Sequence, residues 1–507
     1  MKLFRSGIIV AFFTLISRIF GLIRELFIAS LFGSTSLADS VNVAFKLPNL
    51  FRRIFGEGAL STVFIPIFNE KIEQSNAAAR KFTGEIFTLL LLATILLVLL
   101  MMALMEPLMY VIAPGFHHIP EKFNLTILLC RITIPYLVFI SVTALFGGIL
   151  NSVGKFAAFA FVPVLLNIVV IIGTLFMQQQ IQPSIAISIS IVLAGVLQVM
   201  FMYYCLKRAN LLFPLLFNYQ DKAVKKFLIN MGPATISSGV QQLNLFISQS
   251  IASFIPGAVS ILSYADRIYQ FPLSIIGVTF GTILLPELSK IYKTNDMELA
   301  FKIQNKAIKG SILLSLPAMI GIIILSHPII HIIYERGAFT AEDTTKTATA
   351  ISAFALGLPA FVLTKILTPI FYANHDTKTP LKITIYSLAA NTILNLILMI
   401  PLSHIGIALG SSISAWYNVW LLHKYAHAYG RLTLSSSLVW FCAKVFLSSI
   451  IMGIVILAIS YYYGYYFYSE QVLIKTFVLA LTITCASLVF AASCFYFKLH
   501  KILLAKQ

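Results

Sequence analysis

Long apolar runs recur along almost the whole chain, and they constrain its fold more than any other feature. A run of about 20 apolar residues, rising about 1.5 Å per residue as a helix, crosses the hydrocarbon core of a bilayer. Hydrophobic residues make up 59% of the 507 residues and charged residues only 11%, which is typical of a polytopic membrane protein rather than a soluble domain. We therefore predict an all-α fold with about fourteen transmembrane helices. The expected spans are 7–33, 38–68, 83–105, 124–152, 155–177, 183–206, 226–254, 258–287, 308–327, 346–374, 380–401, 403–423, 438–462 and 472–497.

Lysine and arginine residues between these spans are distributed unequally over the two sides of the predicted membrane. One side carries most of them, whereas the other side carries only Lys122, Arg336, Lys346 and Lys475. Short cytoplasmic loops are the ones enriched in lysine and arginine, so both termini are expected in the cytoplasm. The net charge of +18 follows from this topology and from contact with anionic membrane lipids, and it does not indicate a nucleic-acid partner.

Proline and asparagine landmarks recur at one constant separation along the chain, which suggests an internal repeat. Two copies with an even number of spans share one orientation and are related as a parallel repeat, an architecture used for alternating access. We expect an N-lobe at 1–220, a C-lobe at 221–430, each with six helices, and two extra C-terminal helices at 431–507. The matching pairs are Pro48 with Pro272, Pro135 with Pro359, and Asn167 with Asn391.

Ionisable side chains inside the predicted spans are the strongest indication of function. Each costs roughly 2.5 kcal/mol or more at the bilayer centre, so such residues normally face an internal cavity. At about 100° per residue, polar residues form one stripe on each of three helices. The first stripe holds Arg18, Arg24 and Glu25; the second holds Asp39, Asn42, Lys46, Asn49, Arg53 and Glu57, with Arg52 at its edge; the third holds Ser260, Asp266, Arg267 and Gln270.

Two interpretations of these stripes remain open. In the first, each arginine pairs with a nearby acid, as Arg24 can with Glu25 or Arg267 with Asp266, and serves packing alone. In the second, the surplus of cations over acids binds an anionic substrate, because guanidinium groups bind phosphate oxygens in a forked geometry. We favour substrate binding for Arg18, Arg24 and Arg267.

The sequence lacks the common motifs of catalytic and metal-binding sites. It contains no phosphate-binding P-loop, no GxSxG and no HExxH, so the chemistry of an ATP-driven pump or a membrane hydrolase is missing. The five cysteines lack metal-ligand spacing. We predict a transporter rather than an enzyme, with no catalytic residue, no metal site and no cofactor, driven by a gradient or the membrane potential.

Four segments resemble those of one transporter family, the MurJ (MviN) lipid II flippases of the multidrug/oligosaccharidyl-lipid/polysaccharide (MOP) exporter superfamily. The segments are SRIFGLIRE (17–25), AFKLPNLFRRIFGEGALSTVFIPIF (44–68), APGF (113–116), and YADRIYQFP with the following GTILLPELSK (264–290).

The resemblance implies a flippase of the bacterial inner membrane that moves lipid II, the undecaprenyl-diphosphate-linked peptidoglycan precursor, to the outer leaflet, and we expect it to act as a monomer. It implies that Arg18, Arg24 and Arg267 contact the substrate, and it matches Asp39, Arg52 and Ser260 to further required positions; Arg53 and Gln270 complete the expected substrate site.

This chain departs from the family at two places. An acid common three positions after the cavity arginine of the eighth helix is Gln270 here, which puts a gating role there in doubt. The eleventh helix offers only Asn391 and Asn395 in place of the acid of a reported sodium site. The alternatives are an exporter of another polyprenyl-linked glycan or amphiphile on the same fold, and a membrane scaffold that transports nothing.

Overall fold

The computed structural model describes residues 2–53, 60–216, 221–294 and 296–499, and over these ranges the secondary structure is helical. The chain divides into two compact units, unit 1 (Met1–Ser260) and unit 2 (Ile261–Gln507). The expected lobe boundaries at 220 and 430 stay predictions. Glu57, in the second stripe, lies outside the described residues.

Unit 1 consists of long helices joined by short connections. A 3-10 turn, Pro114–His118, precedes α6. The helices are α1 (Lys2–Phe32), α2 (Ser36–Phe51), α3 (Ser61–Gln74), α4 (Asn76–Ala103), α5 (Met105–Ile112), α6 (Pro120–Thr133), α7 (Tyr136–Ser152), α8 (Phe156–Met177), α9 (Pro183–Arg208) and α10 (Lys222–Ala252). Helix α1 packs against α8, α8 against α9, and α2 against α6.

Unit 2 begins within α11 (Ala258–Leu273), whose first three residues belong to unit 1. A π-helical turn, Ser274–Val278, separates α11 from the next helix. The remaining helices are α12 (Thr279–Lys293), α13 (Met297–Tyr334), α14 (Ala341–Ala355), α15 (Leu358–Tyr372), α16 (Lys378–Ala428), α17 (Ser437–Tyr463) and α18 (Val472–Tyr496).

Each expected span overlaps a helix, and the fold class of an all-α polytopic membrane protein is confirmed. In the described ranges, nine helical segments are long and apolar enough to cross a membrane. The count of fourteen and the arrangement in two six-helix lobes stay predictions. Helix α16 covers the two expected spans 380–401 and 403–423 and is interrupted where they meet, at Ser403, which has φ 52° and ψ −134°.

Proline determines where several of these helices break. The expected span 124–152 is divided between α6 and α7 at Ile134 and Pro135, because proline has no N–H to donate and its ring disturbs the preceding turn. The break keeps its hydrogen bonds, since the N–H of Leu137 donates to the carbonyl of Ile134 at 2.9 Å. In unit 2, the span 346–374 breaks between α14 and α15, just before Pro359.

The repeated prolines lie in similar local structures in the two units. Pro48 lies inside α2 and Pro272 inside α11. A π-helical turn follows each of them, at 52–53 in unit 1 and at 274–278 in unit 2. Prolines inside helices and π-turns are recognised causes of helix bending, so both units contain a bent helix at the matching position.

The C-terminal helix pair is packed into unit 2 rather than standing apart from it. Met452 and Ile456 of α17 pack with Leu325 and Ile332 of α13 in one buried cluster. Phe467, in the turn between α17 and α18, joins the same cluster. Exposed tyrosines surround that turn, as is usual where helices meet a membrane interface.

Gly115 of the APGF segment offers a test of packing inside unit 1. Its N–H donates to the hydroxyl of Ser253 at 2.9 Å, and a Cβ added at Gly115 would overlap the backbone of Ser253 and Phe254. We expect Gly115→Ala to destabilise the protein by about 1–3 kcal/mol through this overlap, measured as a lower thermal unfolding midpoint in detergent. Gly321→Ala is the control, because a Cβ there meets nothing within 4 Å.

An ion pair outside the membrane-spanning helices predicts how stability depends on pH. Burial would raise the pKa of Asp376, but hydrogen bonds from Thr379 and the Arg431 guanidinium, at 2.8 Å, outweigh it and hold the pKa below the usual value of an aspartate. A carboxyl group whose pKa is lower in the folded protein than in the unfolded chain stabilises the fold at pH values above its unfolded pKa. This stabilisation is lost as the pH falls through the pKa of the folded state. We expect Arg431→Gln to lower the unfolding midpoint at pH 7, and to differ less from the native protein as the pH falls below about 4. A difference that stays constant with pH would contradict this.

Candidate functional site

Arg24 lies buried within unit 1, and its guanidinium group contacts side chains of α1, α2 and α8. It donates to the Glu25 carboxylate at 2.8 Å and to the Asn167 side-chain oxygen on α8 at 3.0 Å. The ring of Phe45, on α2, lies 4.1 Å from the guanidinium carbon. The side-chain amide of Asn167 also donates to the carbonyl of Ser17 at 3.2 Å. Asn167 thus sets the position of Arg24, a role that the sequence analysis did not assign to it.

The other expected cations of unit 1 differ in exposure. Arg18 is half-buried on α1, six residues before Arg24, whereas Arg53 is exposed. Arg52 is half-buried, and its Nε donates to the side-chain oxygen of Asn49 at 3.1 Å. Arg52 also lines a small cavity of about 80 Å³ inside unit 1, together with Tyr136 and Gln198 among other residues. Arg52 and Arg53 therefore differ in their surroundings.

Asp39 is fully buried, and both of its oxygens accept hydrogen bonds. Oδ1 accepts from the N–H and from the hydroxyl of Ser260, each at 2.9 Å. Oδ2 accepts from the N–H of Gly257 at 2.9 Å and from the ammonium of Lys122 at 2.6 Å. Gly257 and Ser260 flank the first turn of α11, so Asp39 of α2 satisfies N–H groups that the helix itself leaves free. The expected Asp39 and Ser260 are thus brought together, in direct contact.

Gly257 is suited to this place by its backbone conformation. Its φ of 77° lies in the left-handed region, which residues other than glycine rarely adopt. A Cβ at this residue would also press against the carbonyl oxygen of Ser34. Glycine is therefore needed for the connection between α10 and α11 to turn its N–H towards Asp39.

Lys122 is the residue that the sequence analysis missed. We expected it in a loop, but it lies in the first turn of α6 and is only 4% exposed. Its ammonium lies 3.8 Å from the ring centre of Phe116, a cation–π contact. The signal was present in the sequence, because Pro120 followed by Glu121 marks a helix start and places Lys122 inside the helix.

The two expected residues of unit 2 lie one turn apart on α11. Arg267 and Gln270 are both half-buried. The side-chain amide of Gln270 donates to the carboxylate of Asp266, one turn earlier on the same helix. An acid in place of Gln270 would stand against Asp266 with like charge, whereas the amide forms a hydrogen bond with it. Asp266 therefore meets a neutral donor at this position.

Within the described ranges, no three His, Cys, Asp or Glu side chains are grouped so that they could hold a metal ion. The polar groups found instead are buried charges held by neighbouring charges, amides and backbone N–H groups. Such an arrangement can bind and release an anion by exchanging partners. It supplies no nucleophile paired with a base.

Comparisons with known proteins identify one family. The family model described as "Lipid II flippase MurJ" matches residues 28–477. A "Probable lipid II flippase MurJ" of Rickettsia prowazekii (strain Madrid E) is 63% identical over 498 residues, which cover 98% of each chain. One of Rhizobium tropici is 40% identical, covering 97% of this chain and 93% of the relative.

Solved structures agree with the sequence relatives. "Lipid II flippase MurJ, inward closed conformation" superposes with a TM-score of 0.81 at 29% identity, covering 97% of this chain and 99% of that one. An inward-facing multidrug resistance MATE family transporter of the MOP superfamily superposes with a TM-score of 0.68 at 15% identity, covering 83% and 97%, and shows the shared fold alone. By its sequence and its fold, the chain belongs to the MurJ lipid II flippase family.

Proposed function

We propose that this protein moves lipid II, the undecaprenyl-diphosphate-linked peptidoglycan precursor, from the cytoplasmic to the outer leaflet of the bacterial inner membrane. The observation that carries the proposal is Arg24, a guanidinium group buried inside unit 1 with its position fixed by Asn167. Because the chain belongs to the lipid II flippase family, we infer that the anion bound by this cation is the diphosphate of lipid II.

A diphosphate suits the cations of the site better than the local acid does. Glu25 offers Arg24 a single carboxylate, whereas a diphosphate offers several charged oxygens that arginine can bind in a forked geometry. Arg18, six residues earlier, lies at the other edge of the same polar sector of α1 and adds a second cation. We infer that lipid II displaces Glu25 from Arg24 as it binds, and that Arg52, Arg53, Arg267 and Gln270 complete the substrate site.

Asp39 adds no negative charge that would oppose such binding, because Lys122 neutralises it at 2.6 Å. The surplus of positive charge on the stripes of α1 and α2 is therefore larger than the sequence count indicated. In low dielectric this surplus favours an anionic ligand. We infer that Asp39 and Ser260 serve the transport cycle through their contact with each other rather than through the substrate.

The remaining parts of the proposal concern the transport cycle. We infer alternating access between an N-lobe (1–220) and a C-lobe (221–430), with the helices of 431–507 as an addition, in a monomer whose termini both lie in the cytoplasm. The lysine-rich loops on the side of the termini support the orientation. The matched bent helices at Pro48 and Pro272 support the repeat. Asn391 and Asn395 provide no carboxylate for sodium, so no sodium coupling is proposed.

Removing single arginines tests the substrate site. We expect Arg18→Ala, Arg24→Ala and Arg267→Ala each to reduce transport about tenfold or more, because a hydrogen bond to a charged group contributes about 1.5–3 kcal/mol. The measurement is growth of a flippase-depleted bacterium, together with the amount of lipid II retained on the inner leaflet.

Arg131→Ala is the matched control for these variants, since Arg131 is exposed on α6, where its Nε donates to the carbonyl of Met102 at 3.2 Å. It should support growth. Full growth with all three site variants, at normal levels in the membrane, would refute the proposal. Retention of a different polyprenyl-linked precursor would instead identify another substrate on the same fold.

Asn167 offers a finer test of how Arg24 is held. We expect Asn167→Ala to reduce transport partially, because Arg24 keeps Glu25 but loses one of its positioning contacts. Asn167→Asp should reduce it further, since a second carboxylate beside Arg24 competes with the diphosphate. Rates of lipid II flipping in proteoliposomes measure both effects. Equal rates for the two variants would contradict a role through the charge of Arg24.

A further inference from the structure

The unexpected burial of Lys122 calls for a physical account. A lysine is almost never fully buried unless it is paired, and Lys122 is paired with Asp39, 83 residues earlier in the chain. The ammonium lies between the Asp39 carboxylate and the ring of Phe116. Burying both charges costs free energy that their attraction offsets only when the geometry is good. Stability alone therefore does not explain why this ion pair is buried.

The other contacts of Asp39 indicate what the ion pair does. Its carboxylate accepts from N–H groups at the start of α11, where the helix dipole also favours a negative charge. Each carboxylate oxygen accepts two hydrogen bonds, one of the four from the ammonium of Lys122. In a fully buried site, such a neighbouring cation supplies the counter-charge that the carboxylate needs.

We propose that Lys122 is a positioning residue of the transport cycle: it balances the charge of Asp39, holds its carboxylate towards the start of α11, and so controls the release of the start of α11 from α2. The proposal rests on the flippase function proposed above. When α11 separates from α2, Asp39 loses three of its contacts but retains Lys122, so the released carboxylate is never left without a counter-ion.

A second α2–α6 contact, close to the first, distinguishes a charge effect from simple packing. Thr126, one turn after Lys122 on α6, donates to the hydroxyl of Ser40 on α2 at 2.9 Å. Both residues are fully buried. Thr126→Val removes this polar contact while keeping the shape of the side chain and the charge at Asp39. It is the matched control for Lys122→Met.

Thiol labelling reports on the start of α11 without requiring any substrate. Ala258, its first residue, is fully buried, so Ala258→Cys should react slowly with a membrane-impermeant maleimide in right-side-out vesicles. The unaltered chain, which keeps alanine at this position, gives the background from the native cysteines. We expect Lys122→Met to speed the labelling about tenfold or more, which corresponds to losing one hydrogen bond to a charged group. Thr126→Val should stay within about twofold of the parent, as expected for a neutral contact outside the charged pair.

A double variant tests whether Lys122 acts through Asp39. Asp39→Asn alone should also speed the labelling, and adding Lys122→Met to it should speed it no further, because the lysine then has no carboxylate to hold. If Lys122→Met alone fails to reach the membrane, the double variant should recover, since the harm comes from an unpaired buried charge. The proposal would be overturned if the two substitutions accelerated labelling independently, or if the double variant failed to reach the membrane as Lys122→Met does.

Two further outcomes would also overturn it: labelling of Lys122→Met at the parental rate, or equal acceleration by Thr126→Val. Transport is then measured separately, as growth of flippase-depleted cells. We expect Lys122→Met to support growth poorly. If labelling accelerates and growth is normal, the role of Lys122 in transport is refuted while the flippase function stands. If the unaltered chain fails to restore growth, the flippase function is refuted, and the labelling still reports on Lys122.

Discussion

The cost of placing charge in hydrocarbon governs this structure. A bilayer offers no water to a buried ion, so each ion must find its partners within the protein. Arg24 contacts the carboxylate of Glu25, the side-chain oxygen of Asn167 and the ring of Phe45. Asp39 contacts the ammonium of Lys122 and the N–H of Ser260 at the start of α11. These contacts determine where α1, α2, α6 and α8 meet, and the apolar faces of the helices fill the space between them.

The two buried charges have different surroundings. Arg24 contacts a carboxylate, an amide oxygen and an aromatic ring, and in the proposed function it exchanges the carboxylate for substrate oxygens. Asp39 is enclosed by Lys122 and the start of α11, and in the proposal above it holds these helices together. Their stripes on a helical wheel led to one predicted substrate site for both residues, and such a wheel does not distinguish a side chain that faces a cavity from one that faces another helix.

Much of the fold could be predicted because its signals are local. Hydropathy indicates spans, proline indicates breaks, and both can be recognised without knowing any contact. The boundary expected between spans 380–401 and 403–423 coincides with the interruption of α16 at Ser403, but the left-handed φ at this residue could not be foreseen, since serine carries no strong signal for that conformation. Lys122 was misplaced because the expected span began two residues too late. Its pairing with Asp39, like that of Arg24 with Asn167 over 143 residues, depends on tertiary packing, which no local pattern reveals.

The contact between Asp39 and the start of α11 has a consequence for biogenesis. The carboxylate and the N–H group of Ser260 that it binds are 221 residues apart, and a chain is synthesised from its N-terminus. Asp39 and Lys122 both emerge before α11 exists, so the acid can be neutralised early, while the ribosome is still adding the rest. The first turn of α11 can therefore be bound by Asp39 as soon as that turn forms.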